Sequence, residues 1–147
     1  MMNPYPVTIL LVEDDPGHAR LIVKNLRRAG ITNEIVILED GQKALDCLFS
    51  EGEYASQQLV EPFLVLLDLN LPVLDGYQVL ERLKADKRTL YIPIIVLTTT
   101  DDPQEIRRCY EIGCNVYVIK PVEYTQLSEA IRRLGLFLSV VKLPVTR

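Results

Sequence analysis

Apolar residues in this chain come in short unbroken runs, and such a run holds as a strand only if both of its faces are covered. Val7-Thr8-Ile9-Leu10-Leu11-Val12 leads into Glu13-Asp14-Asp15, and Phe63-Leu64-Val65-Leu66-Leu67 leads into Asp68. Val116-Tyr117-Val118-Ile119 leads into Lys120-Pro121. Strands buried on both faces belong to a parallel sheet covered by helices. In an open α/β sheet the ligand site lies beyond the carboxyl ends of the strands. The acidic groups and the lysine at those ends are therefore expected to converge.

Strand and helix alternate five times along the chain. Asp15-Pro16 opens the first helix with an N-cap and a proline at its first position, and Gly30 closes it. A strand over Glu34–Leu38 follows, then a helix opened by Asp40-Gly41 with Ala44, Leu45 and Leu48 inward. The strand ending at Asp68 precedes a helix opened by Asp75-Gly76. Pro93–Leu97 reads as the fourth strand. Asp102-Pro103 caps a helix expected to turn Ile106, Cys109 and Tyr110 inward. A last helix begins near Glu123. This order implies right-handed crossovers and a single doubly wound domain with helices on both faces. We expect that domain to span 1–147, with a core over about 7–138, a short tail over 139–147 and no output domain. Residues 51–62 are longer than a usual connection and read as a surface loop. Leu134, Leu136, Phe137, Leu138, Val140, Val141 and Leu143 are too densely apolar for one helical stripe. They either fold back on the sheet or form a contact surface for a second subunit or partner.

Composition removes several function classes. A net charge of −4 provides no field for a nucleic-acid backbone. No apolar run is long enough to span a bilayer, and the first residues lack the pattern of a signal peptide, so the expected location is cytoplasmic. The three cysteines, Cys47, Cys109 and Cys114, show no metal-binding spacing and read as buried thiols. His18 is the only histidine, and its place early in the first helix suggests an exposed, uninvolved side chain.

The chemistry follows from charge. Glu13, Asp14 and Asp68 would bring two or three carboxylates together, and two like charges 4 Å apart repel by ~4 kcal/mol at an effective dielectric of 20. A cation relieves this, and an all-oxygen donor set suits Mg²⁺. A carboxylate such as Asp68 can attack phosphorus to form an acyl phosphate. Lys120 supplies a compact positive charge for the phosphoryl group, and Thr98 a hydroxyl.

These residues resemble the response-regulator receiver domains of two-component signalling. The resemblance covers nearly the whole chain. It comprises Glu13-Asp14, the stretch Asp68-Leu69-Asn70-Leu71-Pro72-Val73-Leu74-Asp75-Gly76, Thr98, and Tyr117-Val118-Ile119-Lys120-Pro121. It implies a five-stranded, flavodoxin-like sheet of order 2-1-3-4-5. It also implies Asp68 as phosphoacceptor, with Mg²⁺ held by the carboxylates of Asp14 and Asp68, the backbone carbonyl of Asn70, and Glu13 through water. Thr98 and Lys120 would contact the phosphoryl group, and Tyr117 would fill the space that Thr98 vacates. Lys120-Pro121 would be a cis peptide, Gly76 would serve the turn after Asp75, and Thr100 would tune hydrolysis, here towards a slow rate. The partners implied are a sensor histidine kinase and a downstream protein target. More narrowly, LLDLNLP, IPIIVLTTT, the long loop and the tail look like the small regulators of cyanobacterial phytochromes. That likeness implies a phytochrome kinase and a homodimer through the last helices.

Three other classes compete with this switch. A phosphatase of the haloacid dehalogenase type needs a second carboxylate two residues after its nucleophile, and Asn70 stands there. We therefore expect no enzyme beyond the chain's own phosphoryl uptake and hydrolysis. A pseudo-receiver acting only as an interaction module would lack part of the cluster. A nucleotide-binding flavodoxin-like protein is disfavoured by the absence of a glycine-rich fingerprint.

Overall fold

The computed structural model describes residues 7–55 and 62–140, with side chains described up to Leu136. Five parallel strands form one sheet in the order β2-β1-β3-β4-β5. They are β1 (Thr8–Val12), β2 (Ile35–Leu38), β3 (Phe63–Asp68), β4 (Ile94–Thr98) and β5 (Val116–Ile119). The helices are α1 (Pro16–Arg28), α2 (Gly41–Leu48), α3 (Gly76–Lys84), α4 (Pro103–Ile112) and α5 (Tyr124–Val140). The expected architecture and strand order are both present. Among the described residues, no helix is long and apolar enough to cross a membrane.

Alternation along each strand divides the interior into two layers. Leu10, Val12, Val65, Leu67 and Val96 face α2, α3 and α4. Ile9, Leu11, Leu64, Leu66, Ile95 and Leu97 face Ala19, Ile22 and Leu26 of α1 and Leu127 and Ile131 of α5. Every residue of β1, β3 and β4 is buried. The third apolar run differs from expectation. β5 is an edge strand, only half-buried, and Ile119 is exposed because, among the described residues, no strand lies beyond it.

Helix starts are set by aspartates. Asp15 accepts the N–H groups of Gly17 and His18, Asp40 that of Lys43, and Asp102 that of Gln104. Asp75 and Gln78 form a reciprocal capping box at α3. On α4, Cys109 alone is buried. Tyr110, expected inward, is exposed, and its hydroxyl oxygen accepts the Tyr117 N–H at 3.1 Å. Tyr77 of α3 hydrogen-bonds Glu105 of α4, and the Arg108 guanidinium lies 4.0 Å from the Tyr77 ring centre.

All three cysteines are buried thiols, as expected. Of the 51–62 loop, Gly52–Tyr54 form a short 3₁₀ turn and Tyr54 packs against the core; residues 56–61 lie outside the described part. Leu134 packs on the α1/α5 layer, whereas Leu136 is exposed. The side chains of Phe137, Leu138 and Val140, and residues Val141 and Leu143, lie outside the described part.

Candidate phosphoacceptor site

Strand register assembles the site. Val12 pairs with Leu67, so Glu13 emerges beside Asp68. Asp68 pairs with Leu97, and Thr98 pairs with Ile119, which places Thr98 and Lys120 on the next two strands at the same edge. The backbone N–H of Lys120 donates to the Thr98 carbonyl at 2.7 Å and closes the ladder there. The Lys120-Pro121 peptide is cis.

Asp68 is buried, and both its carboxylate oxygens are engaged. Oδ1 accepts the Asn70 N–H at 2.9 Å, and Oδ2 accepts from the Lys120 ammonium at 3.0 Å. That ammonium also stands 3.7 Å from Glu13 Oε1. Glu13 is only 3 % exposed. Burial pushes its carboxyl above the usual range, and the charge of Asp68 pushes the same way. The Asp15 N–H, His18 and Lys120 pull against that shift without overcoming it. Two buried carboxylates thus share one lysine, a charge deficit that a cation would correct. The buried carboxylate oxygens of Glu13 and Asp68 fit a hard divalent ion.

Helix α3 fixes the floor of the site. Its first residue, Gly76, donates its N–H to the Leu69 carbonyl at 2.9 Å. A Cβ there would come within 2.5 Å of the Leu69 Cα and 2.6 Å of the Asp68 carbonyl oxygen. Only glycine permits that approach.

Other expected residues are distributed as follows. Thr98 is buried at 2 %, and its hydroxyl oxygen accepts the Thr100 N–H at 3.4 Å. Tyr117 is half-buried and donates its hydroxyl to the Thr100 carbonyl at 3.0 Å. Its phenol is raised above the usual range, chiefly by burial. Asn70 is exposed and Thr100 half-exposed at the rim. Asp14 is also exposed and stands outside the innermost cluster, since successive side chains at a strand end turn opposite ways. The inner carboxylate beside Asp68 is that of Glu13.

His18 corrects the sequence reading. Instead of standing free, its Nδ1 lies 2.5 Å from Glu13 Oε1, and its side chain is about one-third exposed at 32 %. Glu13, His18 and Asp68 place ligand atoms within 4.8 Å of one another. The missed signal was positional. Helical side chains lean towards the N-terminus, so a residue in the first turn after β1 covers the same sheet end as the residues closing that strand.

This fold and this acid–lysine cluster are those of the receiver class. The sequence model of the response regulator receiver domain matches residues 9–132, and the chain belongs to that family. It is 42% identical over 130 residues to the probable methanogenesis regulatory protein FilR2 of Methanothrix harundinacea (strain 6Ac), covering 88% of this chain and 81% of that one. It is 38% identical over 143 residues to response regulator Rcp1 of Synechocystis sp. (strain ATCC 27184 / PCC 6803 / Kazusa), covering 97% and 95%. Among solved structures, a receiver domain from Rhodospirillum rubrum is 50% identical with a TM-score of 0.72, covering 96% of this chain and 99% of that one. The Mn²⁺-bound form of Rcp1 is 36% identical (TM-score 0.74), and the phosphorylated cyanobacterial phytochrome response regulator RcpA is 37% identical (TM-score 0.75). Each of these two covers 95% of this chain and 99% of its own. The chain is thus a receiver domain similar to the cyanobacterial phytochrome regulators.

Proposed function

We propose that this chain is a phosphorylation-dependent switch that takes a phosphoryl group from a sensor histidine kinase onto Asp68 and signals through protein contacts. The observation that carries the reading is the Lys120 ammonium held between two buried carboxylates, 3.0 Å from Asp68 and 3.7 Å from Glu13. An Asp68 oxygen attacks the phosphorus of the donor's phosphohistidine. The P–O bond to Asp68 forms as the P–N bond to the donor imidazole breaks, and the imidazole keeps the electron pair. Lys120 already contacts Oδ2 and is placed to follow the charge onto the phosphoryl oxygens. The Asn70 N–H holds Oδ1 and so orients the carboxylate.

Mg²⁺ is the proposed cofactor, held by the carboxylates of Glu13, Asp14 and Asp68 and the Asn70 carbonyl. When bound, such an ion neutralises charge on the phosphoryl oxygens as they pass through the transition state. The manganese form of Rcp1 supports a divalent ion in this class of site. Thr98 turns its hydroxyl to the phosphoryl group, and its partner Thr100 passes the change to Tyr117 through the Thr100 carbonyl. The phosphoryl group thereby shifts the balance between two surfaces of α4, β5 and α5. Thr100 carries no acid or amide to orient water, so the acyl phosphate is long-lived. Beyond this uptake and hydrolysis the chain turns over no substrate.

The likeness to the phytochrome response regulator RcpA supports a phytochrome kinase as donor; a homodimer through the C-terminal helices and a cytoplasmic setting are part of the same proposal. The experiment is incubation with Mg²⁺ and acetyl phosphate followed by intact mass. One phosphoryl adduct is expected on the wild type and none on Asp68→Asn. An adduct that survives that substitution, or a wild type that never forms one, ends the proposal.

A further inference from the structure

The donor set around Asp68 is not purely oxygen. Glu13, His18 and Asp68 turn ligand atoms into one space, all within 4.8 Å. His18 is held there by the start of α1. Asp15 Oδ1 accepts its backbone N–H at 3.3 Å, Pro16 opens the helix, and the ring rests on the buried Glu13 carboxylate. Lys120, the ammonium near Glu13, pairs more closely with Asp68, at 3.0 Å against 3.7 Å. Chemistry separates the ions that could use such a trio. Mg²⁺ takes hard oxygen donors and gives up water reluctantly, whereas an imidazole favours first-row transition ions.

We propose that His18 is a protein ligand in this site, so that the chain prefers divalent transition-metal ions such as Co²⁺ and Mn²⁺ over Mg²⁺. The inference rests on the receiver reading above and adds a residue to it. When the ion binds, the proton shared between Nδ1 and Glu13 Oε1 in their 2.5 Å contact leaves to solvent, and the freed Nδ1 lone pair takes the place of a water that an all-oxygen site would retain. The one-third exposed ring leaves an approach for the ion from solvent. If His18 only orients Glu13 through their hydrogen bond, it is a positioning residue and serves every metal alike.

Calorimetric titration of the full chain with Mg²⁺, Mn²⁺ or Co²⁺ chloride decides between these roles. His18→Ala and His18→Gln should each weaken Co²⁺ binding by about tenfold or more. Mg²⁺ binding should hardly move, so the preference for Co²⁺ collapses. Nitrogen hyperfine coupling to bound Mn²⁺ should appear in the wild type and vanish in both variants. An equal loss for all three ions, no loss for any, or a wild type without nitrogen coupling overturns the proposal. If the wild type still takes a phosphoryl group from acetyl phosphate in that case, the receiver reading stands and only the role of His18 falls. A wild type that binds no divalent ion and forms no adduct takes both down.

Discussion

The two ends of the sheet use polar side chains in opposite ways. At the amino end they are tied to backbone. Asn33 donates to the Val7 carbonyl at 2.9 Å, Asn115 accepts the Ile94 N–H at 2.8 Å, and Thr89 donates to the Leu83 carbonyl at 2.6 Å. Lys84 donates to the carbonyls of Leu90 and Ile92 at 2.9 and 2.8 Å. At the carboxyl end the ionisable groups face one another, as Lys120 with Asp68, Lys120 with Glu13, and His18 with Glu13. A polar group that completes a backbone hydrogen bond is committed to the fold. Ionised groups crowded together with like charges unresolved gain from a cation. The difference separates holding from responding.

Substitutions should separate the two ends by readout. Asp68→Asn should show the largest effect, complete loss of the phosphoryl adduct by mass. Its melting temperature should be equal to or above that of the wild type, because one of two facing carboxylates is gone. Asn33→Ala should invert that pattern. It leaves the Val7 carbonyl without this donor and costs about 2 kcal/mol in urea denaturation, while acetyl phosphate still labels Asp68. A carboxyl-end residue that is destabilising as it stands would sharpen the contrast. Val73, 76 % exposed beside the site, has a φ of 70°, a conformation poorly suited to a β-branched side chain. Val73→Gly should therefore stabilise the protein by about 1 kcal/mol in the same assay.

The smallest effect is one of pH. Burial lowers the Lys84 ammonium from its ordinary 10.5 to about 8. Between those values the unfolded chain binds more protons than the folded one, so stability rises with pH as the folded lysine discharges. Cys114 works oppositely, since burial raises its thiol from 9.0 to about 12 and costs stability above pH 9. The gain should thus be clearest between pH 8 and 9, on the order of 0.5 kcal/mol once partial exposure is discounted. Lys84→Met should flatten that slope; an unchanged slope would assign the effect to another group.

Fold and site were legible in the sequence to different depths. The buried runs of β1 and β3 and the aspartate caps are local signals, and strand and helix follow from them within a residue or so. Convergence of Glu13, Asp68, Thr98 and Lys120 follows from parallel register, which sets strand ends level. An apolar run does not report whether a neighbouring strand exists, so β5 read as buried although it lies at the edge. Tyr110 fits a helical stripe by spacing, but its hydroxyl finds the Tyr117 N–H outside. His18 was missed because spacing along a helix gives a face, not the height at which that face meets the sheet.

One absence of atoms limits how such a site can be altered. Because α3 begins flush against the main chain of Asp68 and Leu69, no side chain can enter at position 76 without lifting the helix off the aspartate. Adjustment from beneath is closed to mutation or design. Only the open side remains, where Asn70, Thr100 and His18 stand within reach of solvent. Under the proposed function, kinetic behaviour and ion choice would be edited at the mouth, over an anchorage that tolerates no revision.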